Sequence, residues 1–189
     1  SPRADNRRDF GRMGQAREFE QEKLVVAVLL AAGVDREAVL AALQGAFGPP
    51  DRISGELAFD CTDYYAAEMG EGIRRLFYSA RELVAPERLA ALKISTNALE
   101  ADFTEEGRRR VNLDPGLLSL GRFILASTKP AAHRIPLSGG IYAELTLVYE
   151  KGGFRALPWT YPDYRSSAYL ALLGELRSLY RQQRRLLST

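Results

Sequence analysis

Apolar and polar side chains alternate from residue 141 to residue 149, with Tyr142, Glu144 and Thr146 at the polar positions. A period of two is typical of a β-strand whose two faces meet different surroundings. One face therefore packs on a core, and the other carries a carboxylate at a strand centre, where glutamate is disfavoured. This polar face is the first candidate for a functional site.

Glycine pairs on both sides of this strand predict tight turns, at residues 138–140 and 151–153. Three strands are therefore expected to form an antiparallel meander, at residues 133–137, 141–150 and 154–157. Pairing across the first turn makes Arg134 and Glu144 neighbours on one face, where their opposite charges attract.

The first half of the chain alternates between strand and helix patterns. Residues 23–30 (KLVVAVLL) form a short apolar run rich in valine, which predicts a central strand buried on both faces. An amphipathic helix follows after the capping residue Asp35. Further periodic segments predict strands at residues 52–60 and 73–84 and a helix at residues 86–102.

In the second half, residues 108–113 alternate as a strand, and Arg110 and Asn112 share a face with Asp114. Aspartate followed by proline is typical of a helix start, because aspartate caps the first turn and proline fits the first helical position. A largely apolar helix is therefore expected at residues 117–127, and a last helix after Ser166.

These segments predict one α+β domain over residues 23–189, with a mixed β-sheet, a C-terminal antiparallel meander and packed helices. Residues 1–22 lack a clean apolar period and are expected to form a flexible or partly helical N-terminal arm. The 189 residues, 46% of them hydrophobic, suffice for the core of a single domain.

Composition narrows the classes of function. The net charge of +2 gives no strong reason to expect nucleic acid or an anionic membrane as a partner. The single cysteine, Cys61, excludes an internal disulfide and fits a reducing cytoplasm, and the single histidine, His133, excludes a histidine-rich metal centre within one chain. No secretory signal is recognisable, and the longest apolar run is about half as long as a membrane-spanning helix. A cytoplasmic location is expected.

Five segments carry a family resemblance. They are FDCTDYYAAEMG (59–70), KISTNALE (93–100), RRRVNLDPGLLSLGRFILASTK (108–129), HRIPLSGGIYAELTLVYEKGGF (133–154) and LPWTYPDYRS (157–166). On these residues the chain resembles the bacterial domain-of-unknown-function family 4416, roughly over residues 23–180. The resemblance implies family membership, and it carries no established activity or catalytic residues.

Familiar nucleotide-binding and hydrolase motifs are lacking, since the chain has no G-x-x-x-x-G-K-[ST], no G-x-G-x-x-G after a strand and no G-x-S-x-G. The candidate catalytic residues are Glu144, His133 and Asp114, which could act as general acids or bases. The candidate ligand-binding residues are Lys93, Asn97, Arg110, Asn112, Lys129, Arg134, Tyr142, Trp159 and Tyr161. We expect His133, Arg134 and Glu144 to lie on one side of the hairpin and to meet Arg110 or Asn112 from the neighbouring segment.

An acidic segment at residues 59–72 contains no basic residue. Its Asp63 and Glu68, together with Glu100, are candidate ligands for a divalent cation such as Mg²⁺, because close carboxylates repel unless a cation screens them. A solvated loop is the alternative, since the segment lacks the alternating oxygen ligands of a calcium-binding loop.

Two hypotheses of function follow. In the first, the protein is a small-molecule enzyme or binder for a phosphorylated or nucleotide-like anionic ligand, held by basic groups, with carboxylates binding a divalent cation or acting as general base. In the second, it is a non-catalytic RNA- or protein-binding module that uses the arginines of the arm and the last helix. A third interpretation treats the polar residues as a buried structural network.

Under the first hypothesis, Glu144 is expected to matter more for ligand binding or turnover than for folding. If Glu144 is instead half of a buried ion pair, its replacement by glutamine destabilises the fold.

Overall fold

The computed structural model describes residues 14–59 and 63–187. Within these ranges the chain forms nine strands and four α-helices. The strands are β1 (Glu22–Leu30), β2 (Pro50–Ile53), β3 (Leu57–Ala58), β4 (Arg74–Val84), β5 (Val111–Leu118), β6 (Arg122–Ser127), β7 (Arg134–Pro136), β8 (Tyr142–Glu150) and β9 (Gly153–Ala156). The helices are α1 (Arg36–Phe47), α2 (Asp63–Met69), α3 (Leu89–Asp102) and α4 (Ser167–Leu187).

One sheet contains these strands in the order β2-β4-β1-β5-β6-β8-β7, with β3 also beside β4 and β9 beside β8. The prediction of an α+β domain is confirmed. The sheet was expected to be mixed, but the strand pairs of the described residues are all antiparallel. The reason lies in the helical crossovers. Helix α1 joins β1 to β2 and α3 joins β4 to β5, and each joined pair runs parallel but is separated by an inserted strand.

This interleaving defines the core of the domain. The chain order β1-α1-β2-β4-α3-β5 and the spatial order β2-β4-β1-β5 are those of the split βαβ arrangement found in ferredoxin-like domains. Strands β6 to β9 then extend the sheet beyond β5, and α4 returns across it.

Helices α1 and α3 cover one face of the sheet, and α4 covers the other. Side chains of β1 alternate between the two cores, so that Val26 and Val28 pack with α1 and α3 while Val25 and Ala27 pack with α4. The strand is therefore buried on both sides, which explains its unbroken apolar run. Asp35 caps α1 as expected, its Oδ1 accepting a hydrogen bond from the Glu37 amide at 3.0 Å.

Residues 117–127 form strands and not the predicted helix. Strand β5 continues to Leu118, and the chain returns as β6. Asp114 and Pro115 lie within β5 and start no helix. Both strands lie between the two helical layers, and a continuous apolar run of this kind does not distinguish a doubly buried strand from a buried helix.

Other differences are smaller. The strand expected at residues 52–60 is divided into β2 and β3, and helix α2 occupies part of the acidic segment. Residues 14–21 contain no helix, whereas residues 1–13 of the predicted arm lie outside the described part of the chain. The meander is confirmed as β7, β8 and β9, with Arg134 directly opposite Glu144.

Candidate functional site

A cavity opens where the sheet splits between β5 and β6. These strands pair only from Gly116 opposite Leu125 to Leu118 opposite Phe123. The space beyond this short ladder has a volume of about 610 Å³, which suits a small organic ligand. Its ionisable and amide lining side chains are Tyr65, Arg75, Lys93, Asn97, Glu100, Arg109, Asn112, Asp114, Lys129, Arg134, Glu144, Tyr161, Asp163 and Tyr164.

Helix α3 replaces β6 as the partner of the open part of β5. The Leu113 amide donates to Glu100 Oε1 at 2.7 Å, and Lys93 Nζ donates to the Leu113 carbonyl oxygen at 3.2 Å. A buried backbone group left without a partner would cost about 1–3 kcal/mol. Two turns of helix separate Lys93 from Glu100, so both side chains reach the same strand, and they supply partners for both backbone groups of Leu113 where the sheet opens.

A chain of hydrogen bonds orients Asp114 at the cavity wall. Arg109 Nη1 donates to Asn112 Oδ1 at 2.9 Å, and Asn112 Nδ2 donates to Asp114 Oδ2 at 2.8 Å. Lys93 Nζ donates to the other carboxylate oxygen, Oδ1, at 3.0 Å. The Asp114 side chain is nevertheless 27% exposed, so the structure brings together three predicted site residues around an accessible, oriented carboxylate.

The pKa of Asp114 lies below its ordinary value. Burial works to raise this pKa, but the charges of Lys93 and Arg75 and the hydrogen bonds from Lys93 and Asn112 together outweigh burial. In contrast, burial raises the pKa values of Glu100 and Asp163. Carboxyl groups whose pKa values are moved apart in one cavity are typical of acid–base sites.

Replacing Asp114 by asparagine should make the fold less sensitive to acid. Because the folded-state pKa of Asp114 lies below the unfolded value of about 3.9, the carboxylate stabilises the fold above that value and stops doing so as the pH falls through the folded-state pKa. The stability advantage of the wild type over Asp114→Asn should therefore shrink as the pH is lowered below about 4. Urea unfolding of both proteins at a series of pH values measures this difference in unfolding free energy. A difference that does not change with pH would contradict the expectation.

Glu144 forms an ion-paired cluster with the start of β7. Its Oε1 lies 2.7 Å from His133 Nε2 and accepts a hydrogen bond from Arg134 Nε at 3.3 Å. Thr146 Oγ1 lies 3.5 Å from the other oxygen, Oε2. Glu144 is only 2% exposed although it lines the cavity. The prediction that Arg134 and Glu144 share one face is confirmed, and His133 reaches the same carboxylate because β7 begins one residue after it.

The aromatic segment after β9 forms part of the cavity rim. Tyr161 lines the cavity, and its hydroxyl accepts a hydrogen bond from Arg134 Nη2 at 3.3 Å. Trp159 stacks on His133 with ring centroids 5.0 Å apart and donates to the Leu145 carbonyl oxygen at 2.7 Å. Neither Trp159 nor His133 lines the cavity, but His133 contacts Glu144, which does.

Two further predicted residues lie away from the cavity. Arg110 Nη2 donates to the Ala32 carbonyl oxygen at 2.6 Å, outside β5, so of the two expected partners only Asn112 shares the cavity with the hairpin. Tyr142 stands at the start of β8 opposite Ser127, and it is not a lining residue. Asn97 and Lys129 line the cavity, and their binding of a ligand stays a prediction.

The candidate metal ligands do not gather in the described part of the chain. Among those residues no group of three His, Cys, Asp or Glu side chains could hold a metal ion. Glu100 accepts from the Leu113 amide, and Glu68 Oε2 lies 3.7 Å from Arg109 Nη1. Asp63 is the first residue of α2, and its side chain lies outside the described part.

The ionisable lining residues that are not among the sequence candidates are Tyr65, Arg75, Arg109, Asp163 and Tyr164. Arg75 Nη2 donates to Asp163 Oδ2 at 3.3 Å, and the arginine is 3% exposed. The sequence contains one sign that Arg75 is unusual. By strand alternation Arg75 lies on the same face of β4 as Phe77, and that face is buried. A charge on a buried strand face is rare without a partner, but the sequence does not reveal that Asp163 is that partner.

Fold and cavity together define a single α+β domain with a ferredoxin-like core and a ligand-sized cavity where its sheet opens. The chain belongs to the family described as Domain of unknown function (DUF4416), whose model matches residues 20–180 and thus includes every lining residue. Comparison with curated proteins and with solved structures finds no match. No helix in the described ranges has the length and apolar character needed to cross a membrane.

Proposed function

We propose that this protein is a small-molecule enzyme or binding protein for a phosphorylated or nucleotide-like anionic ligand, which occupies the cavity between β5 and β6. The observation that carries the proposal is the charge of the lining. Five basic side chains line the cavity, namely Arg75, Lys93, Arg109, Lys129 and Arg134, and four carboxylates, namely Glu100, Asp114, Glu144 and Asp163. A surplus of positive charge in a sheltered cavity favours an anion, because solvent screens the field poorly there.

Apolar surface in the same cavity supports a ligand with a flat organic body. Phe59, Tyr65, Leu125 and Pro162 contribute to the lining beside the charged groups. Aromatic rings pack against flat ligands such as nucleobases, while a few placed polar groups provide orientation. This combination is the basis for a nucleotide-like ligand.

Asp114 is the residue best placed for chemistry. Its carboxylate is ionised, oriented by Lys93 and Asn112, and partly open to the cavity. It can accept a hydrogen bond from a ligand hydroxyl, and as a general base it can remove a proton from that hydroxyl or from a water molecule. We also propose a cytoplasmic location, which the use of a single cysteine supports.

A ligand screen by thermal denaturation tests the proposal. Nucleotides, sugar phosphates and inorganic phosphate are added to the wild-type chain, and at a hundredfold excess over Kd a true ligand adds about 2.7 kcal/mol of stability. We expect at least one phosphorylated compound to raise the melting temperature by several degrees.

Two variants show whether such a ligand occupies the cavity. Asn97→Ala changes a lining side chain and should reduce the ligand-induced shift. Arg52→Gln breaks an exposed ion pair between Arg52, on the edge strand β2, and Glu175. This variant should leave the ligand-induced shift in melting temperature unchanged. If no anionic compound raises the melting temperature of the wild type, the proposed function is wrong.

A further inference from the structure

Resting on the proposed function, we infer that the anionic group of the ligand, a carboxylate or a phosphate, binds at Arg75 and Tyr164 on the α4 side of the cavity. Both residues line the cavity, and each is 3% exposed. Arg75 Nε and Nη1 and the Tyr164 hydroxyl have no hydrogen-bond partner among the residues that the structure describes. Two lining side chains thus contain three buried donors that lack a partner.

Such donors are costly in a protein that binds nothing. A buried guanidinium usually has its nitrogen atoms paired, because leaving a charged donor unpaired forfeits the hydration that it had in water. Arg75 has one carboxylate contact, to Asp163, and lies 5.0 Å from the Phe59 ring centroid. Ring contacts partly compensate a cation, but they supply no hydrogen-bond acceptor in the plane of the guanidinium. An oxyanion would supply one.

Other basic groups in the cavity are already engaged. Lys93 donates to Asp114 and to the Leu113 carbonyl oxygen. Arg134 donates to Glu144, to the Lys129 carbonyl oxygen and to Tyr161. A ligand anion at either residue would compete with these bonds, whereas at Arg75 and Tyr164 it would add bonds without breaking any.

Phosphate and carboxylate present the same chemistry to this subsite. Both offer several acceptor oxygens to a planar guanidinium and a phenol hydroxyl, and charge-assisted hydrogen bonds of this kind are short and strong. Burial raises the pKa of Tyr164 well above its ordinary value, although Arg75 opposes it, so the hydroxyl keeps its proton and remains a donor.

Nuclear magnetic resonance of the full chain tests the inference, with inorganic phosphate and acetate as separate probes. We expect the assigned Arg75 Nε–H resonance to shift on titration with at least one probe, and the probe that shifts it identifies the preferred anion. The Tyr164→Phe variant should bind that probe about tenfold more weakly, because one hydrogen bond to a charged group is lost. Its melting temperature should be unchanged or raised, since the removed hydroxyl has no partner in the described fold.

Tyr180→Phe is the matched control. Tyr180 is also buried, but its hydroxyl donates to the Gln21 carbonyl oxygen at 2.6 Å, and Tyr180 is not a lining residue of the cavity. This variant should lose thermal stability and keep the affinity for the probe.

Different results would contradict anion binding at Arg75 and Tyr164 and the proposed function. If neither probe shifts the Arg75 resonance, or if Tyr164→Phe binds the probe as tightly as the wild type, the anion does not bind here, and a positive ligand screen would still uphold the proposed function. If the ligand screen is also negative for every anionic compound, both are wrong.

Discussion

The Glu144→Gln variant is expected to lose about 3–5 kcal/mol of unfolding free energy. The side chains of Arg134 and Glu144 are 8% and 3% exposed, and His133 Nε2 contacts the same carboxylate oxygen at 2.7 Å. Glutamine keeps the shape but removes the negative charge, which leaves the buried Arg134 guanidinium without its counterion. Urea denaturation of both proteins measures the change.

This expectation alters the role that the sequence suggested for Glu144. A glutamate at a strand centre was expected to serve ligand binding or turnover more than folding, whereas the buried pair with Arg134 favours the alternative in which its replacement destabilises the fold. The control is Glu175→Gln, which breaks the exposed pair between Glu175 and Arg52. That change should stay within about 0.5 kcal/mol. A Glu144→Gln protein as stable as the wild type would show that the pair contributes little and that Glu144 is free to serve a ligand.

The Gly116→Ala variant should be destabilised by about 3 kcal/mol, at the upper end of the cost of overpacking. A Cβ at residue 116 would lie 2.6 Å from Phe123 Cζ and 2.8 Å from the Ile124 backbone oxygen. The ring is buried and the oxygen belongs to the neighbouring strand, so neither can move freely. Since Gly116 forms the last pair before β5 and β6 separate, the added methyl group should also widen the split at the cavity.

Gly45→Ala is the control for the same chemical change. Gly45 lies in α1, and a Cβ there meets nothing within 4 Å. Alanine in a helix should stabilise the protein by about 0.5–1 kcal/mol relative to glycine. The melting temperature and the unfolding free energy in urea should therefore fall for Gly116→Ala and rise for Gly45→Ala. A neutral Gly116→Ala protein would mean that β6 moves easily away from β5.

Much of the site was predictable where its residues are close in sequence. The glycine turns around β8 led to the pairing of Arg134 with Glu144, and the helical spacing of Lys93 and Asn97 placed both on one face. The sequence did not reveal that Lys93 contacts Asp114, because Asp114 was predicted to cap a helix at residues 117–127 and instead lies within β5. Alternation placed Arg110 on the same strand face as Asn112. Arg110 instead donates to the Ala32 carbonyl oxygen, because it lies just before β5 begins.

The sequence by itself determined the α+β class, the central strand β1 and the meander of β7, β8 and β9, because strand periodicity and glycine turns are local properties of the chain. Only the tertiary structure decided that the apolar run after Asp114 is a hairpin, since its burial comes from helices that are distant in sequence. It also decided that Arg75 and Asp163 meet across 88 positions of the chain, and that the sheet splits between β5 and β6. Both depend on long-range packing, in which side chains of α3 satisfy the open strand and α4 covers the opposite face.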